Sequence, residues 1–326
     1  MVSRRDWLRI TATAGAALSL DPERLAGARH PLQSGDVITR AIPSTGERIP
    51  VIGLGGANTF SEAARNEDID RLTGVIRNLV AHGGTVLDTA PGYGASEEVA
   101  GRIAADIGVG DRIFWATKLN VAGGRGRGSG SRGADRSAAV AQLERSFERL
   151  RRPVIDLIQV HNMGDPPTQL GLLQELKAEG RIRYFGITTT SDGQYSALAE
   201  VMRTYPLDFI GIDYAVDNRL PEEAIFPLAQ ERGIAVMVYL PFGRNRLWGR
   251  VEGREVPTWA ADFGATTWAQ LFLKFAIAHP AVTVVTPGTS RPEHMLDNLT
   301  AARGRAPNAD EVRRMVELVE SLPSAG

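Results

Sequence analysis

Eight short apolar runs, each followed by a stretch of helical period, predict an α/β fold. Their number and the length of the chain make it a closed (β/α)8 barrel of the TIM-barrel class. The runs are Ile52–Leu54, Thr85–Leu87, Arg112–Thr117, Ile155–Val160, Ile182–Ile187, Asp208–Ile212, Ile234–Val238 and Val282–Val285. They are apolar on both faces, as parallel strands covered by helices must be. Between them, Ile69, Leu72, Ile76 and Leu79 share one helical face, as do Val140, Leu143, Phe147 and Leu150. Eight such units within 326 residues suit a single barrel. A doubly wound open sheet stays open as an alternative, although such sheets more commonly stop at about five to seven strands.

The elements outside the repeat come in order. Residues 1–28 have the layout of a signal peptide. Arg4-Arg5 with Trp7-Leu8 opens it, a mildly apolar Ile10–Leu20 follows, and Ala26-Gly27-Ala28 offers a small-residue cleavage site. The arginine pair is similar to a twin-arginine export motif, which implies the twin-arginine machinery as a partner and a periplasmic or exported protein. A frayed basic N-terminus of a cytoplasmic protein is the plainer alternative. Residues 29–36 form a linker, and residues 37–326 the barrel domain. Val37–Ile42 and Arg48–Ile52 flank Pro43-Ser44-Thr45-Gly46 and read as an N-terminal β-hairpin. Insertions at Asn120–Asp135 and Gly243–Gly264 follow the third and seventh strands, on the rim where barrel enzymes build sites and lids. An additional C-terminal helix carries Val312, Met315, Val316, Val319 and Leu322 on one face.

Composition excludes several classes of function. A net charge of −1 predicts no broad attraction to nucleic acid or an anionic membrane. The absence of cysteine removes disulfides, thiolate catalysis and cysteine-type zinc sites. The five histidines show no metal-ligand spacing, so no metal is expected. No apolar run approaches the ~20 residues that span a bilayer, so membrane insertion is not expected either.

The residues that follow the strands carry chemistry. Asp88 and Tyr93 come after the second strand in Val86–Gly101, VLDTAPGYGASEEVAG, which ends in a helix start at Ala95-Ser96-Glu97-Glu98. Lys118 ends the third strand, His161 the fourth, Thr188-Thr189 the fifth and Tyr239 the seventh, and Pro287-Gly288-Thr289-Ser290 follow the eighth. Each has an ordinary explanation: a packed aromatic, a loop-capping acid, a solvated lysine, a buried histidine. In a barrel they converge on one face, and an acid, a phenol, an amine and an imidazole together compose a proton-transfer site. A phenol titrates near ~10, and an adjacent ammonium is expected to lower that value. Asp88 would hold the ammonium charged, and the imidazole would orient a carbonyl oxygen. Side chains supply no hydride, so a nicotinamide cofactor is implied.

The same residues resemble a known family. LDTAPGYGASEEVAG, ATK at Ala116–Lys118, SFERLRRPVIDLIQVHN at Ser146–Asn162, LKAEGRIRYFGIT at Leu176–Thr188 and PGTSRPEHMLDN at Pro287–Asn298 resemble the aldo/keto reductases. The resemblance runs from about Ile38 to Leu322. It implies a hairpin-plugged barrel that reduces aldehydes or ketones, or oxidises the alcohols, with NADP(H) in preference to NAD(H). By position it makes Tyr93 the general acid, tuned by Lys118 and Asp88, with His161 on the carbonyl. Tyr239 would stack on the nicotinamide and Asn298 would meet the adenine. Gly288, Thr289, Ser290, Arg291 and His294 line the adenosine end, with Ser290 and Arg291 toward a 2′-phosphate.

Four residues at three places depart from the family pattern. Thr188-Thr189 replaces a Ser-Asn pair, Gly211 stands for a glutamine, and Leu240 for a serine. Each lost polar contact to the nicotinamide is worth ~0.5–1.5 kcal/mol. A nicotinamide-binding barrel with little turnover, acting as a redox sensor, is therefore a second reading. A non-redox barrel isomerase or lyase is a third. The string Gly128–Gly133 matches G-x-G-x-x-G but follows no strand, and the Arg125, Arg127 and Arg132 run reads as a flexible loop rather than an RNA contact. Trp248 and Trp259 are open between substrate contact and packing under a long loop.

Overall fold

The computed structural model describes residues 36–57, 59–63, 69–122 and 133–323. The signal peptide expected over 1–28, the linker apart from Asp36, and the Arg125–Arg132 loop lie outside the described residues. Eight parallel strands pair in sequence order: β3 (Leu54–Gly55), β4 (Val86–Asp88), β5 (Phe114–Leu119), β6 (Ile155–Val160), β7 (Ile182–Thr189), β8 (Phe209–Asp213), β9 (Ala235–Tyr239) and β10 (Val282–Val285). Parallel bridges Ile52–Val285 and Gly55–Gly288 join the last strand to the first and close the barrel.

Helices cover the outside: α1 (Thr59–Ala63), α2 (Ile69–Ala81), α3 (Ser96–Asp106), α4 (Arg136–Leu150), α5 (Pro166–Ala178), α6 (Tyr195–Thr204), α7 (Pro221–Arg232), α8 (Arg246–Val251), α9 (Trp268–Ala278), α10 (Pro292–Thr300) and α11 (Ala309–Ser321). In α2 the face read from the sequence is the buried one, through Leu72, Ile76 and Leu79. The last helix, α11, packs on α9 through Met315 and Val319, and an Asn308–Glu311 capping box starts it.

The hairpin, β1 (Thr39–Ala41) paired with β2 (Arg48–Pro50), closes the N-terminal mouth. Its Ile42 and Ile49 join the interior cluster of Phe114, Leu157, Tyr184 and Phe209. The Tyr184 hydroxyl lies 2.8 Å from Thr45 Oγ1 and donates to Glu47, so the plug is held by apolar contact and by polar groups at its rim. Arg40 of β1 donates to the carbonyls of His279 at 2.6 Å and Ile277 at 2.5 Å, and to that of Val282. Carbonyls at a helix C-terminus have no partner within the helix, and this guanidinium supplies one for α9.

Several strands run one or two residues beyond the apolar runs. Asp88, Lys118, Thr188, Thr189 and Tyr239 are strand residues, and Arg112 belongs to the short turn before β5. Period two explains the difference. Residues 114, 116 and 118 all face inward, as do 157 and 159, so the ladder continues while polar side chains meet one another inside the barrel. Register places Lys118 opposite Gln159 and Thr188 opposite Gly211.

Candidate active site

The C-terminal rim gathers the four residues expected to transfer protons. Lys118 Nζ donates to Asp88 Oδ2 at 2.7 Å and to the Thr89 carbonyl at 2.8 Å. The side chains of this pair are only 1% and 5% exposed. Tyr93 rises from the turn after β4, its ring centroid 5.2 Å from that ammonium. His161 follows β6 directly, and its ring meets Tyr93 edge-on at 5.8 Å. All four line one cavity of about 470 Å³, together with Asn162, Thr188, Tyr239 and Arg244.

Local structure aims these groups. Ser96, the first residue of α3, accepts from Thr89 and donates to the Gly56 carbonyl at 3.2 Å. That ties the exits of β3 and β4 beside Asp88. After His161 the chain turns through left-handed backbone at Asn162 and Met163, and after Tyr239 it does so at Leu240. Such conformations cost about 1–3 kcal/mol each and are typical of functional rims.

Electrostatics set the protonation states. Burial alone would lower the Lys118 value, but the charge of Asp88 and its hydrogen bond hold it above that of an ordinary lysine. Burial pushes the Asp88 carboxyl up against the pull of Lys118. Tyr93 departs from the sequence expectation. Lys118 does pull the phenol down, but burial outweighs it and the charge of Asp88 adds to burial, so the value lies above 10.0. The phenol therefore keeps its proton, as a proton donor must. His161 is pushed down to about 3 by burial first and by Lys118 second, so its imidazole is neutral. Its buried Nδ1 has no hydrogen-bond partner.

A second chamber, of about 390 Å³, adjoins the first through Phe242, Asn245 and Gly288. Thr289, His294 and Asn298, three of the residues that the resemblance assigns to the cofactor, line it with Trp248 and Trp268. Among the described residues, Ser290 and Arg291 line neither chamber. Thr289 accepts from the Arg291 amide at 3.1 Å, which fixes the turn into α10. The two tryptophans left open separate. Trp248 lines this chamber, with its ring 4.8 Å from Phe242, whereas Trp259 packs on Phe263 and under Arg314.

The altered positions behave differently from one another. Thr188 faces the first chamber and accepts from the Asn162 amide at 3.1 Å. Thr189 turns away, with its hydroxyl donating to Gln194 at 2.6 Å and accepting from Ser191. It is buried and consumed by its own turn. Gly211 is filled by a neighbour: a Cβ there would lie 2.4 Å from Tyr239 Cε2. Sequence reasoning missed Gln159, Asn162 and Arg244. The alternation through Leu157 and His161 would have placed Gln159 on the interior face. No metal-capable cluster of three His, Cys, Asp or Glu side chains occurs among the described residues.

An eight-stranded parallel barrel with a buried acid–amine pair, a phenol and a neutral imidazole at its C-terminal rim has the composition of a proton-transfer site. The sequence profile of the aldo/keto reductase family matches residues 51–320, and the chain belongs to that family of oxidoreductases. It is 29% identical over 280 residues to the aldo-keto reductase str7 of Strobilurus tenacellus, spanning 76% of this chain and 80% of that one. It is 25% identical to the NADH-specific methylglyoxal reductase of Escherichia coli, across 82% of this chain and 95% of the relative. An aldo/keto reductase of Klebsiella pneumoniae, solved in complex with NADP and acetate, superposes with a TM-score of 0.69 at 27% identity, over 84% of this chain and 93% of that one.

Proposed function

We propose that this chain reduces an aldehyde or ketone, or oxidises the corresponding alcohol, with NADP(H) ahead of NAD(H) and Tyr93 as the general acid. The observation that carries the reading is the convergence of Tyr93, Lys118, Asp88 and His161 on one cavity. The two adjoining chambers and the orphaned Nδ1 of His161 fit a dinucleotide laid between the catalytic rim and α10, with a carbonyl beside the imidazole. Gly288 sits at the join, where a Cβ would be 3.3 Å from the Gly55 carbonyl, so the backbone stays open to a ligand. The NADP held by the Klebsiella relative supports NADP(H). Ser290 and Arg291, at the start of α10, are the groups for a 2′-phosphate. Thr188, Asn162 and the Tyr239 ring border the nicotinamide end, and Asn298 the adenine end.

When bound, the nicotinamide supplies the hydride. The chain does the rest. His161 donates a hydrogen bond to the substrate oxygen and orients it. Tyr93 gives that oxygen its proton as negative charge develops on it. Lys118 then stabilises the phenolate left behind, and Asp88 keeps Lys118 charged and in place. In oxidation the same groups act in reverse, with the phenolate taking the alcohol proton.

Tyr93→Phe tests the reading. It removes the transferable proton and keeps the ring, so carbonyl reduction should be lost while quenching of NADPH fluorescence on binding persists. Turnover at the wild-type rate in that variant would remove the mechanism.

Export through the twin-arginine route belongs to the same proposal. It is supported by Arg4-Arg5 and the apolar stretch that follows. That route carries folded proteins, which suits a barrel that closes around its cofactor before export.

A further inference from the structure

Tyr239 does more in this barrel than offer an aromatic face. Its hydroxyl points down among the strands. Gln159, fully buried on β6, donates from Nε2 to that hydroxyl at 2.9 Å. The hydroxyl in turn points at Asp88 Oδ1 at 3.4 Å, long for a hydrogen bond, while Asp88 Oδ2 takes the Lys118 ammonium at 2.7 Å. The order of donors follows from chemistry. A carboxylate only accepts, so a Tyr239 proton aimed at Asp88 leaves the phenol oxygen to accept, and the partner there must be the NH2 of Gln159. The Lys118 ammonium lies 5.2 Å from the ring of Tyr239 and 5.2 Å from that of Tyr93, between two phenols.

This arrangement depends on Gly211. A Cβ at that position on β8 would stand 2.4 Å from Tyr239 Cε2 and 2.8 Å from its hydroxyl, so only glycine lets the ring lie across the strand. The glutamine absent from β8 and the glutamine present on β6 are two parts of one arrangement. The ring occupies the space over Gly211, and Gln159 holds its tip. Burial raises Tyr239 well above an ordinary tyrosine, so this second phenol keeps its proton and is not a competing acid.

We propose that Gln159 and Tyr239 are a positioning pair for Asp88. Gln159 fixes the Tyr239 hydroxyl, and that hydroxyl, rather than the ring face, holds the carboxylate in the orientation that keeps Lys118 against Tyr93. The proposal rests on the reductase reading above. The groups facing Tyr239 are Asp88 from β4, Tyr93 from the following turn, Lys118 from β5 and Gln159 from β6, and the pair acts on substrate only through the first three.

The experiment compares Tyr239→Phe, Gln159→Leu and their double variant in the full-length protein, with 4-nitrobenzaldehyde and NADPH. Phe keeps the ring and its stacking, so a platform role for Tyr239 predicts wild-type kcat. The positioning role predicts that each single change lowers kcat by about ten-fold, the size of one hydrogen bond near a charge. The double variant should fall no further than either single one, while the NADPH dissociation constant stays within about two-fold of wild type. Gln159→Met, which keeps the length of the side chain without its NH2 and leaves the ring over Gly211, replaces Gln159→Leu in the same cycle should that variant fail to fold. Wild-type kcat in Tyr239→Phe, or additive losses in the double variant, would overturn the proposal. Tyr93→Phe in the same assay separates the two readings. If it is inactive, failure of Tyr239→Phe to respond sinks only this inference; if it is active, the reductase mechanism itself falls and this inference with it.

Discussion

Lys118 Nζ sits 2.7 Å from Asp88 Oδ2 in a place that water scarcely reaches, since the two side chains are 1% and 5% exposed. Lys118 is opposite Gln159 on the next strand, and Asp88 ends β4, so neighbouring strands set the pair and no flexible loop does. A charge pair so placed costs much to desolvate, and it persists because each member also has other partners.

Removing one partner should therefore cost more than removing both. Lys118→Met should destabilise the fold by about 3–5 kcal/mol, because Asp88 is left buried without its cation. The double variant Lys118→Met with Asp88→Leu should recover part of that loss. Urea unfolding of the three proteins measures it, and a double variant less stable than Lys118→Met would contradict the pairing. Both variants should lose carbonyl reduction.

The pH profile of reduction should lack a histidine limb. With the His161 value at about 3, the imidazole stays neutral throughout the mild acid range. Tyr93 must be protonated to act, and its value is raised above 10.0, so its limb falls on the alkaline side. The kcat for reduction should be flat from about pH 6 to about pH 9 and decline above that. A fall centred near pH 6.5 would show that His161 titrates normally. Stability behaves in the opposite sense to a salt-bridged histidine. The unfolded chain takes up a proton on His161 below 6.5 while the folded chain resists to about 3, so this group makes stability fall as pH drops through that window. His161→Gln should remove that share of the acid sensitivity.

Arg40 should couple the plug to the barrel. Its guanidinium reaches the carbonyls of Ile277, His279 and Val282, at the end of α9 and the start of β10. Arg40→Met leaves these groups without their charged donor and should cost about 1.5–3 kcal/mol. Amide exchange across β1 and β2 should speed up, while the catalytic rim at the opposite mouth keeps its kcat. Unchanged exchange in the hairpin would show that the apolar contacts of Ile42 and Ile49 suffice.

Export should depend on the arginine pair. Replacing Arg4 and Arg5 by lysine keeps the charge and removes the motif, so the protein should accumulate in the cytoplasm as an active, unprocessed chain. Fractionation and an activity stain read the outcome, and normal export of that variant would leave the N-terminus without a twin-arginine role.

Much of this protein was legible as pattern. Alternating apolar runs and helical faces specify the eight units, because parallel strands buried on both sides have few other ways to pack. The period of two through Ala116 and Lys118, and the place of Asp88 at the end of its run, put an acid and an amine inside the rim. What no linear pattern carried was the outcome of neighbours competing for the same space. Burial overrides Lys118 and keeps Tyr93 protonated, Thr189 spends its hydroxyl on its own turn, and Tyr239 lies across Gly211 to meet Gln159. Each of these depends on which atoms from distant strands fill one small volume, and therefore on the closed barrel.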